Sequence, residues 1–344
     1  MKTPELRSGS GSRLTTAVLP LAVLLLLAAV PFVASAYLQD LVVRILIFSI
    51  FALSLELLVG TTGLVSLGHA AFLGIGAYAT VLGAPASDPG SFFGLLALAI
   101  VSAGLYAAVT GALSLRTKGV YFIMVTLAFA QMAYFIVHDT KAGGGSDGIY
   151  LNLKPVVGPA EAPWLDPGNR TTLFFVVLAA FGLVYALLAL LLRSRFGHAL
   201  GGIRLNEQRM RAAGFPTFFY KWAAFVIAGM LAAVAGFLIA VRDGLVNPEM
   251  LAWHESGAVL IMLILGGLGH LRGAVLGAVA FTLLKEAYQS QGIVGPLADH
   301  WQLTLGLTII VLVAVMPKGL IGLPDLIRRR KPAAPATSAE ADDD

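Results

Sequence analysis

Residues 173–192 read LFFVVLAAFGLVYALLALLL, twenty residues without a single charge. An α-helix of about 20 predominantly apolar residues is long enough to cross the hydrocarbon core of a bilayer. The rest of the chain has the same character, because 58% of its 344 residues are hydrophobic and only 12% are charged. Soluble domains carry about 25% charged residues, so most of the surface of this chain does not face water. Disorder is excluded too, because it requires low hydrophobicity and high net charge.

Ten apolar segments of this kind occur along the chain, several of them short or interrupted by glycine. We therefore predict an all-α, polytopic integral membrane protein with about ten transmembrane helices. The predicted helices are Ala17–Tyr37, Leu41–Val59, Leu64–Leu82, Phe92–Leu115, Val120–Val137, Leu173–Leu192, Trp222–Ala240, Ala258–Leu268, Ala274–Tyr288 and Leu303–Val315.

The first of these segments has two interpretations. Three basic residues precede it, and residues 34–36, which read ASA, resemble a signal-peptidase site. A signal peptide has an apolar region of about 7–15 residues, and the apolar run over residues 17–33 is longer than that. We therefore expect an uncleaved first helix.

Lysine and arginine fall into four clusters, at the N-terminus, after the fourth and sixth predicted helices, and after the last. Ten crossings place all four clusters on one side, which is the cytoplasm by the positive-inside rule. This pattern explains the net charge of +4 without a nucleic-acid partner. We expect a multi-pass protein of the cytoplasmic (inner) membrane with both termini in the cytoplasm.

The chain divides into three predicted parts. They are a cytoplasmic N-terminus (1–16), a transmembrane domain (17–323) and a cytoplasmic tail (324–344) that is first basic and then acidic and disordered. The transmembrane domain contains an extracytoplasmic loop (138–171) and a cytoplasmic loop (193–221).

The sequence offers little to an enzyme or to a cofactor. It has no cysteine, and its six histidines lack metal-motif spacing. The phosphate-binding pattern GxxxxGK[ST] is absent, so we expect no nucleotide site in this chain. Paired carboxylates and a nucleophile elbow are also missing. We therefore predict no catalytic residues, no cofactor and no metal site.

Four polar residues inside apolar segments are candidates for a translocation path: Ser66, His69, Thr126 and Gln131. Polar groups at membrane depth are costly and usually face protein or water. The first two lie in a segment rich in small residues, which lets helix backbones approach closely or leaves room beside a pathway. Helix packing explains these residues as well as a path does, and the sequence leaves both interpretations open.

The predicted cytoplasmic loop reads RSRFGHALGGIRLNEQRMRAAGFPTFFYK over residues 193–221. Apolar and charged residues alternate there at approximately helical spacing. Asn206 can cap a short helix that runs through Arg211, and residues 214–216 (GFP) end it. Such an amphipathic helix either lies on lipid or docks into a groove of a cytoplasmic partner. The spacing alone does not decide between the two.

Several segments together resemble the LivM-type permease subunit of branched-chain amino acid ABC importers. The segments are residues 63–78 (GLVSLGHAAFLGIGAY), 116–131 (RTKGVYFIMVTLAFAQ), 144–148 (GGSDG), 196–214 (FGHALGGIRLNEQRMRAAG) and 253–269 (WHESGAVLIMLILGGLG). The resemblance covers about residues 40–323. Four positions depart from the expected pattern, with His198, Gly202, His270 and Ala274 in place of arginine, alanine, threonine and proline.

This resemblance implies the ABC importer permease fold and a chain that supplies half of a translocation pathway. It also implies partners, namely a LivH-type permease, two cytoplasmic ABC ATPases and an extracytoplasmic substrate-binding protein. The loop resembles the segment that meets the ATPase, which favours docking over lipid binding. The residues carried over to that role are Phe196, Gly197, Ile203, Leu205, Glu207, Met210, Ala213 and Gly214.

Two alternative functions remain open. Relatives that import urea or short amides share these motifs, so the sequence does not identify the substrate. A self-contained secondary transporter would need buried ionisable residues for ion coupling. Apart from the histidine at position 69, the predicted helices hold only Arg44, Glu56, Lys285 and Glu286, and all but Glu56 lie near a helix end.

Overall fold

The computed structural model describes residues 26–140, 143–159 and 163–323. These residues form a helical bundle. Its helices are α1 (described over residues 26–33), α2 (Ala36–Glu56), α3 (His69–Gly83), α4 (Phe92–Ser114), α5 (Val120–Asp139), α6 (Arg170–Arg193), α7 (Arg195–Leu205), α8 (Glu207–Ala212), α9 (Thr217–Asp243), α10 (Trp253–Gly266), α11 (Leu271–Gln289), α12 (Gln291–Val294) and α13 (Trp301–Val315). A π-helix, Leu57–Thr62, extends α2, and short 3-10 turns connect several of the others. The only sheet in the described part pairs β1 (Ile149–Tyr150) with β2 (Leu245–Val246) in antiparallel register.

α2 and α9 lie at the centre of the bundle. In their most apolar stretches 83% and 78% of the residues are buried, whereas the share is 33% or less in α4, α5, α6 and the segment that contains α13. The outer helices therefore expose the apolar side chains that lipid or another membrane subunit would cover.

Small residues allow α3 and α9 to touch along their backbones. A Cβ atom added to Gly236 would lie 1.9 Å from the carbonyl oxygen of Leu73, and one added to Gly76 would lie 2.7 Å from the Cα atom of Ala233. Helices in lipid gain stability from such close packing, because burial of apolar surface alone offers little there. Packing thus explains part of the small-residue pattern in this segment.

The prediction of about ten transmembrane helices is not confirmed. Among the described residues, six helices are long and apolar enough to cross a membrane, or seven if the bent pair α10–α11 counts as one crossing. The third predicted helix begins only at His69 and has 15 residues, because Gly63 takes a left-handed conformation (φ +74°) and the chain is irregular before α3. α10 and α11 meet at a 115° bend at residues 267–270, where Gly267 and Gly269 have positive φ. For the first predicted helix, residues 17–25 lie outside the described part, and α1 is separated from α2 by a break at residues 34–35.

The bundle has two distinguishable ends. We call the end that carries β1 and β2 the strand end, and there the Tyr37 hydroxyl donates to the Glu286 carboxylate over 2.7 Å. The opposite end, which we call the loop end, carries α7, α8 and the bend between α10 and α11. The 27-residue α9 connects the two ends over about 40 Å at 1.5 Å per residue. The described residues of the segments 138–171 and 193–221 therefore lie at opposite ends, and which end faces the cytoplasm stays a prediction.

Candidate functional site

His69 is enclosed at the start of α3. Its Nε2 atom lies 2.8 Å from the Ser54 hydroxyl, and its ring stacks on Phe51 and meets the edge of Phe72 at centroid distances of 5.4 and 5.5 Å. The side chain has no exposed surface, and its Nδ1 atom has no hydrogen-bond partner among the described residues. This environment is that of a packed core residue, and no open passage reaches the ring in this conformation.

Ser66 and Thr126 line one small cavity of about 10 Å³ between the segment before α3 and α5. That volume has room for about one water molecule. Each hydroxyl bonds to nearby backbone, since Ser66 accepts from the Gly68 amide over 3.2 Å and Thr126 donates to the Ile123 carbonyl over 2.9 Å. The two candidates thus share a site, although it is too small for an amino acid.

Gln131 stands apart from this cavity, on a half-buried position of α5. Within the described part of the chain, no group forms a hydrogen bond with its amide. An amide at membrane depth normally has a partner. Gln131 is therefore the path candidate whose side chain is left available to a ligand or to another subunit.

The loop folds as two short helices whose ends follow the predicted capping. The Asn206 side chain accepts from the Arg209 amide over 2.9 Å at the start of α8, and Gly214 ends the segment with φ +86°. The cap and the termination are therefore confirmed. Ser194 caps α7 in the same way, accepting from the Gly197 amide over 3.5 Å.

The apolar residues of the loop divide into an inner and an outer set. Ile203 is 4% exposed and packs inside this chain, while Phe196 is half-buried and stacks on Tyr220 at 5.6 Å. Gly197 is buried as well, and a Cβ atom there would lie 2.4 Å from the carbonyl oxygen of Leu192. These residues hold the loop against the bundle.

The outer set faces away from the bundle. Leu205 is 88% exposed, and Phe215 and Phe219 are 39% and 64% exposed. Ala213 and Gly214 are exposed too, whereas Met210 is half-buried and lies over Gly202. We call Leu205, Phe215 and Phe219 the outer apolar residues of the loop.

Glu207 joins the loop to α9. Its Oε1 atom accepts hydrogen bonds from Arg211 at 2.6 Å, Lys221 at 2.9 Å and Thr217 at 3.1 Å. Burial alone would raise its pKa, but the hydrogen bond and charge of Lys221, with smaller contributions from Arg211 and Thr217, lower the pKa of Glu207 to about 2. The (i, i+4) pair with Arg211 is visible in the sequence. The bond to Lys221, which is 6% exposed and fourteen residues away, is not.

A second contact joins the loop to the centre of the bundle, and sequence analysis did not identify it. Arg204 of α7 donates a hydrogen bond to the carbonyl of Gly60 in the π-helix. The Glu56 carboxylate, which is 1% exposed, accepts from the Gly269 amide over 2.7 Å at the bend between α10 and α11. We call Glu56, Gly60, Arg204 and Gly269 the loop-end junction. It brings α7, the end of α2 and the α10–α11 bend into direct contact.

Two glycines leave room for the contacts of this junction. A Cβ atom on Gly60 would lie 1.8 Å from the Oε1 atom of Glu56, and Gly269 has φ +90°. The carboxylate therefore occupies the space that a side chain at position 60 would need. Over the residues that the structure describes, no group of three or more histidine and acidic side chains is arranged to hold a metal ion.

Comparisons with known proteins agree with this architecture. Residues 37–316 match the family model described as "Branched-chain amino acid transport system / permease component". The chain is 30% identical to the high-affinity branched-chain amino acid transport system permease protein LivM of Escherichia coli K12, over 90% of this chain and 76% of that protein. It is 25% identical to a probable LivM of Methanocaldococcus jannaschii, over 69% of this chain and 71% of that protein. It is also 25% identical to LivH of Escherichia coli K12, over 59% of this chain and 65% of that protein.

These relatives are transport permeases and not enzymes. The match to the family model covers the central helices, the loop and the bent pair that the structure describes. The chain therefore belongs to the permease family of branched-chain amino acid transport systems, as a LivM-type, polytopic membrane protein.

Proposed function

We propose that this chain is one permease subunit of an ATP-driven importer for branched-chain amino acids in the cytoplasmic membrane. In this proposal it pairs with a LivH-type permease, receives substrate from an extracytoplasmic binding protein at the strand end, and is driven by two cytoplasmic ATPases at the loop end. The similarity to both LivM and LivH supports a pair of related permeases. Both termini then face the cytoplasm, and lipid covers the outer helices.

The observation that carries the proposal is the loop-end junction. A permease without an ATPase site of its own must receive mechanical work through its contacts with an ATPase. Coupling then needs a structural element whose conformation depends both on the ATPase contact and on the translocation path. Arg204 lies on the loop and holds the π-helical end of α2, while Glu56 of the same helix holds the α10–α11 bend. A displacement of α7 by the ATPase would therefore move both the end of α2 and the α10–α11 bend.

In the proposed coupling surface the outer apolar residues of the loop contact the ATPase. Leu205 contributes the most exposed apolar side chain of α7 and α8. Ile203, Phe196 and Gly197 act from inside, because they fix the loop on the bundle. Glu207 also supports the loop from within this chain, because its ion pair with Lys221 joins the loop to α9.

The proposed ten crossings follow from the positions of the helix ends. The Glu56 contact puts the end of α2 and the start of α11 at the loop end, and the Tyr37 contact puts the opposite ends of these helices at the strand end. α10 and α11 would then each cross the membrane. The short α3 would form a further crossing together with the irregular residues 64–68.

The translocation path proposed for this chain includes Ser66, His69, Thr126 and Gln131. In the described conformation Gln131 is half-buried with a free amide, whereas the unpartnered Nδ1 atom of His69 is fully enclosed. Ser66 and Thr126 would border a passage after α3 and α5 separate, because they now line a cavity of water size. His69, which is now enclosed beside Ser54, would have to be uncovered by the same movement.

The test compares Arg204→Gln with Arg209→Gln in the assembled importer, reconstituted with its ATPases and binding protein. Both changes remove one positive charge from the loop, but only Arg204 contacts Gly60. We expect Arg204→Gln to lower leucine uptake per ATP hydrolysed several-fold and Arg209→Gln to leave that ratio unchanged. Equal ratios in the two variants would contradict coupling through the junction.

A urea or short-amide importer of the same family is the nearest alternative. Uptake of labelled urea in preference to leucine by the same assembled complex would establish it. A secondary transporter is less well supported, because Glu56 is the only buried carboxylate among the described residues and its Oε1 atom is bound to the Gly269 amide. Leucine accumulation by the chain alone under a proton or sodium gradient would favour it.

A further inference from the structure

Two cavities meet at the strand end around Arg44 of α2. The first, about 160 Å³, lies between α2, α10 and α11, and the second, about 230 Å³, lies between α2, α9 and the segment after β2. Both are lined by Arg44, Phe48 and Glu255. Each is far larger than the roughly 10–15 Å³ that one water molecule requires, and a cavity of about 150 Å³ admits a molecule of the size of benzene.

Polar groups in these cavities lack partners. The Glu255 side chain makes no ion pair or hydrogen bond with any described residue. The Thr282 hydroxyl, in a residue that is only 4% exposed, has no hydrogen-bond partner in the described part either, and it lines the first cavity. Buried polar groups are normally satisfied, so the buried Thr282 hydroxyl and the half-buried Glu255 carboxylate are both available to a ligand in the first cavity.

Positive charge faces the same space. Arg44 makes one long ion pair, 3.5 Å from its Nη1 atom to Glu286, and a guanidinium has five N–H donors to offer. Lys285 lies over the Trp301 ring at 5.5 Å. The lining that both cavities share therefore offers a ligand one cation, Arg44, and one carboxylate without an ion pair to any described residue, Glu255.

The walls between these charges are apolar. Phe48 lies between the two cavities, Ile47 and Leu73 face the second, and Met262 and Phe281 face the first. Each of these residues except Phe48 is less than 9% exposed. An aliphatic side chain placed there would be shielded from water and in contact with well-packed neighbours.

We propose that the cavities around Arg44 form a binding site for a zwitterionic amino acid with an apolar side chain, whose carboxylate binds Arg44 and whose ammonium group binds Glu255. This inference rests on the proposed function and specifies where the permease itself holds its substrate. It also separates the two substrate classes, because urea carries neither charge and gains nothing from a paired cation and anion.

The test is equilibrium binding of labelled L-leucine to the full-length chain with its permease partner in lipid nanodiscs. Two competitors each remove one charge: 4-methylpentanoate lacks the ammonium group, and 3-methylbutylamine lacks the carboxylate. A hydrogen bond to a charged group contributes about 1.5–3 kcal/mol, which is tenfold or more in affinity. We expect leucine to bind at least about tenfold more tightly than either competitor, and urea to compete least.

The decisive variant is Glu255→Gln, because Glu255 has no ion pair whose loss would disturb the fold. It should weaken leucine binding about tenfold and abolish the advantage of leucine over 4-methylpentanoate, while binding of 4-methylpentanoate itself stays unchanged. Glu255→Asp should restore part of that advantage, which excludes a simple folding defect. Asp139→Asn, a matched loss of one carboxylate at the strand end but outside the cavities, should change nothing.

Three results would overturn the site: equal binding of leucine and 4-methylpentanoate to the wild-type chain, an advantage of leucine that survives Glu255→Gln, or no leucine binding. ATP-driven uptake separates this failure from failure of the proposed function. Leucine accumulation that Glu255→Gln leaves unchanged overturns the site and leaves the importer standing. Charge-dependent leucine binding without any ATP-driven accumulation supports the site and overturns the importer.

Discussion

Replacing Leu205 by alanine should weaken ATPase binding without weakening the fold. The side chain is 88% exposed, so the isolated chain loses almost no packing when it is shortened. Complete burial of a leucine in an interface contributes about 1.5–3 kcal/mol. The truncation should therefore cost about 2 kcal/mol of association free energy, which corresponds to roughly thirtyfold weaker binding.

Leu200→Ala is the matched control. Leu200 lies on the same helix but has no exposed surface, so its truncation should cost about 2–5 kcal/mol of folding stability. Titration of the purified ATPase onto the solubilised permease, combined with thermal unfolding of the permease alone, separates the two effects. Met210 is a poorer target, because it is half-buried over Gly202 and its loss would also disturb the loop. ATPase affinity within about twofold of wild type for Leu205→Ala would refute docking through this residue and favour a loop that lies on lipid.

Glu207→Gln should destabilise the loop by about 1–3 kcal/mol at neutral pH, because Lys221 loses its counter-ion. The pKa of Glu207 is lowered from 4.5 to about 2, so its stabilising effect is fully present above pH 4.5 and disappears as the pH falls through 2. The unfolding free energies of wild type and variant should therefore converge in acid. A difference that stays constant with pH would contradict the ion pair. Gln131→Leu should reduce uptake while the assembled complex can still be purified, and normal uptake would make Gln131 a structural amide only. In a chain without native cysteine, Asp147→Cys should react with an impermeant maleimide in intact cells and Asn206→Cys should not; the reverse pattern would invert the topology.

Local patterns in the sequence were sufficient for the long apolar helices α4 and α6 and for the loop caps. α4 and α6 begin and end within three residues of their predicted bounds, because long uninterrupted apolar runs leave little choice of structure. Asn206 was predictable for the same reason, since capping depends on residues within one turn. The irregular start of α3 was harder to foresee, because Gly63 breaks the helix inside a run that is apolar throughout.

Contacts between distant residues account for what the sequence did not predict. Glu56 and Gly269 are 213 positions apart, and Arg204 and Gly60 are 144 apart, so no local spacing links them. Glu207 was expected among the residues of the loop that meet the ATPase. The structure places it against Lys221 instead, at the base of the loop. Ser66 and Thr126 are both buried against protein, and the small volume between them depends on how closely α5 approaches Gly68, which local sequence does not reveal.

The central claim is that this chain moves branched-chain amino acids only as part of an ATP-driven complex. The most direct measurement is accumulation of labelled leucine in proteoliposomes that contain either the chain alone or the chain with a LivH-type permease, both ATPases and the binding protein. We expect no accumulation by the chain alone with ATP or under a proton or sodium gradient, and ATP-dependent accumulation by the complete set. Ion-driven accumulation by the chain alone, or none by the complete set with ATP, would contradict it.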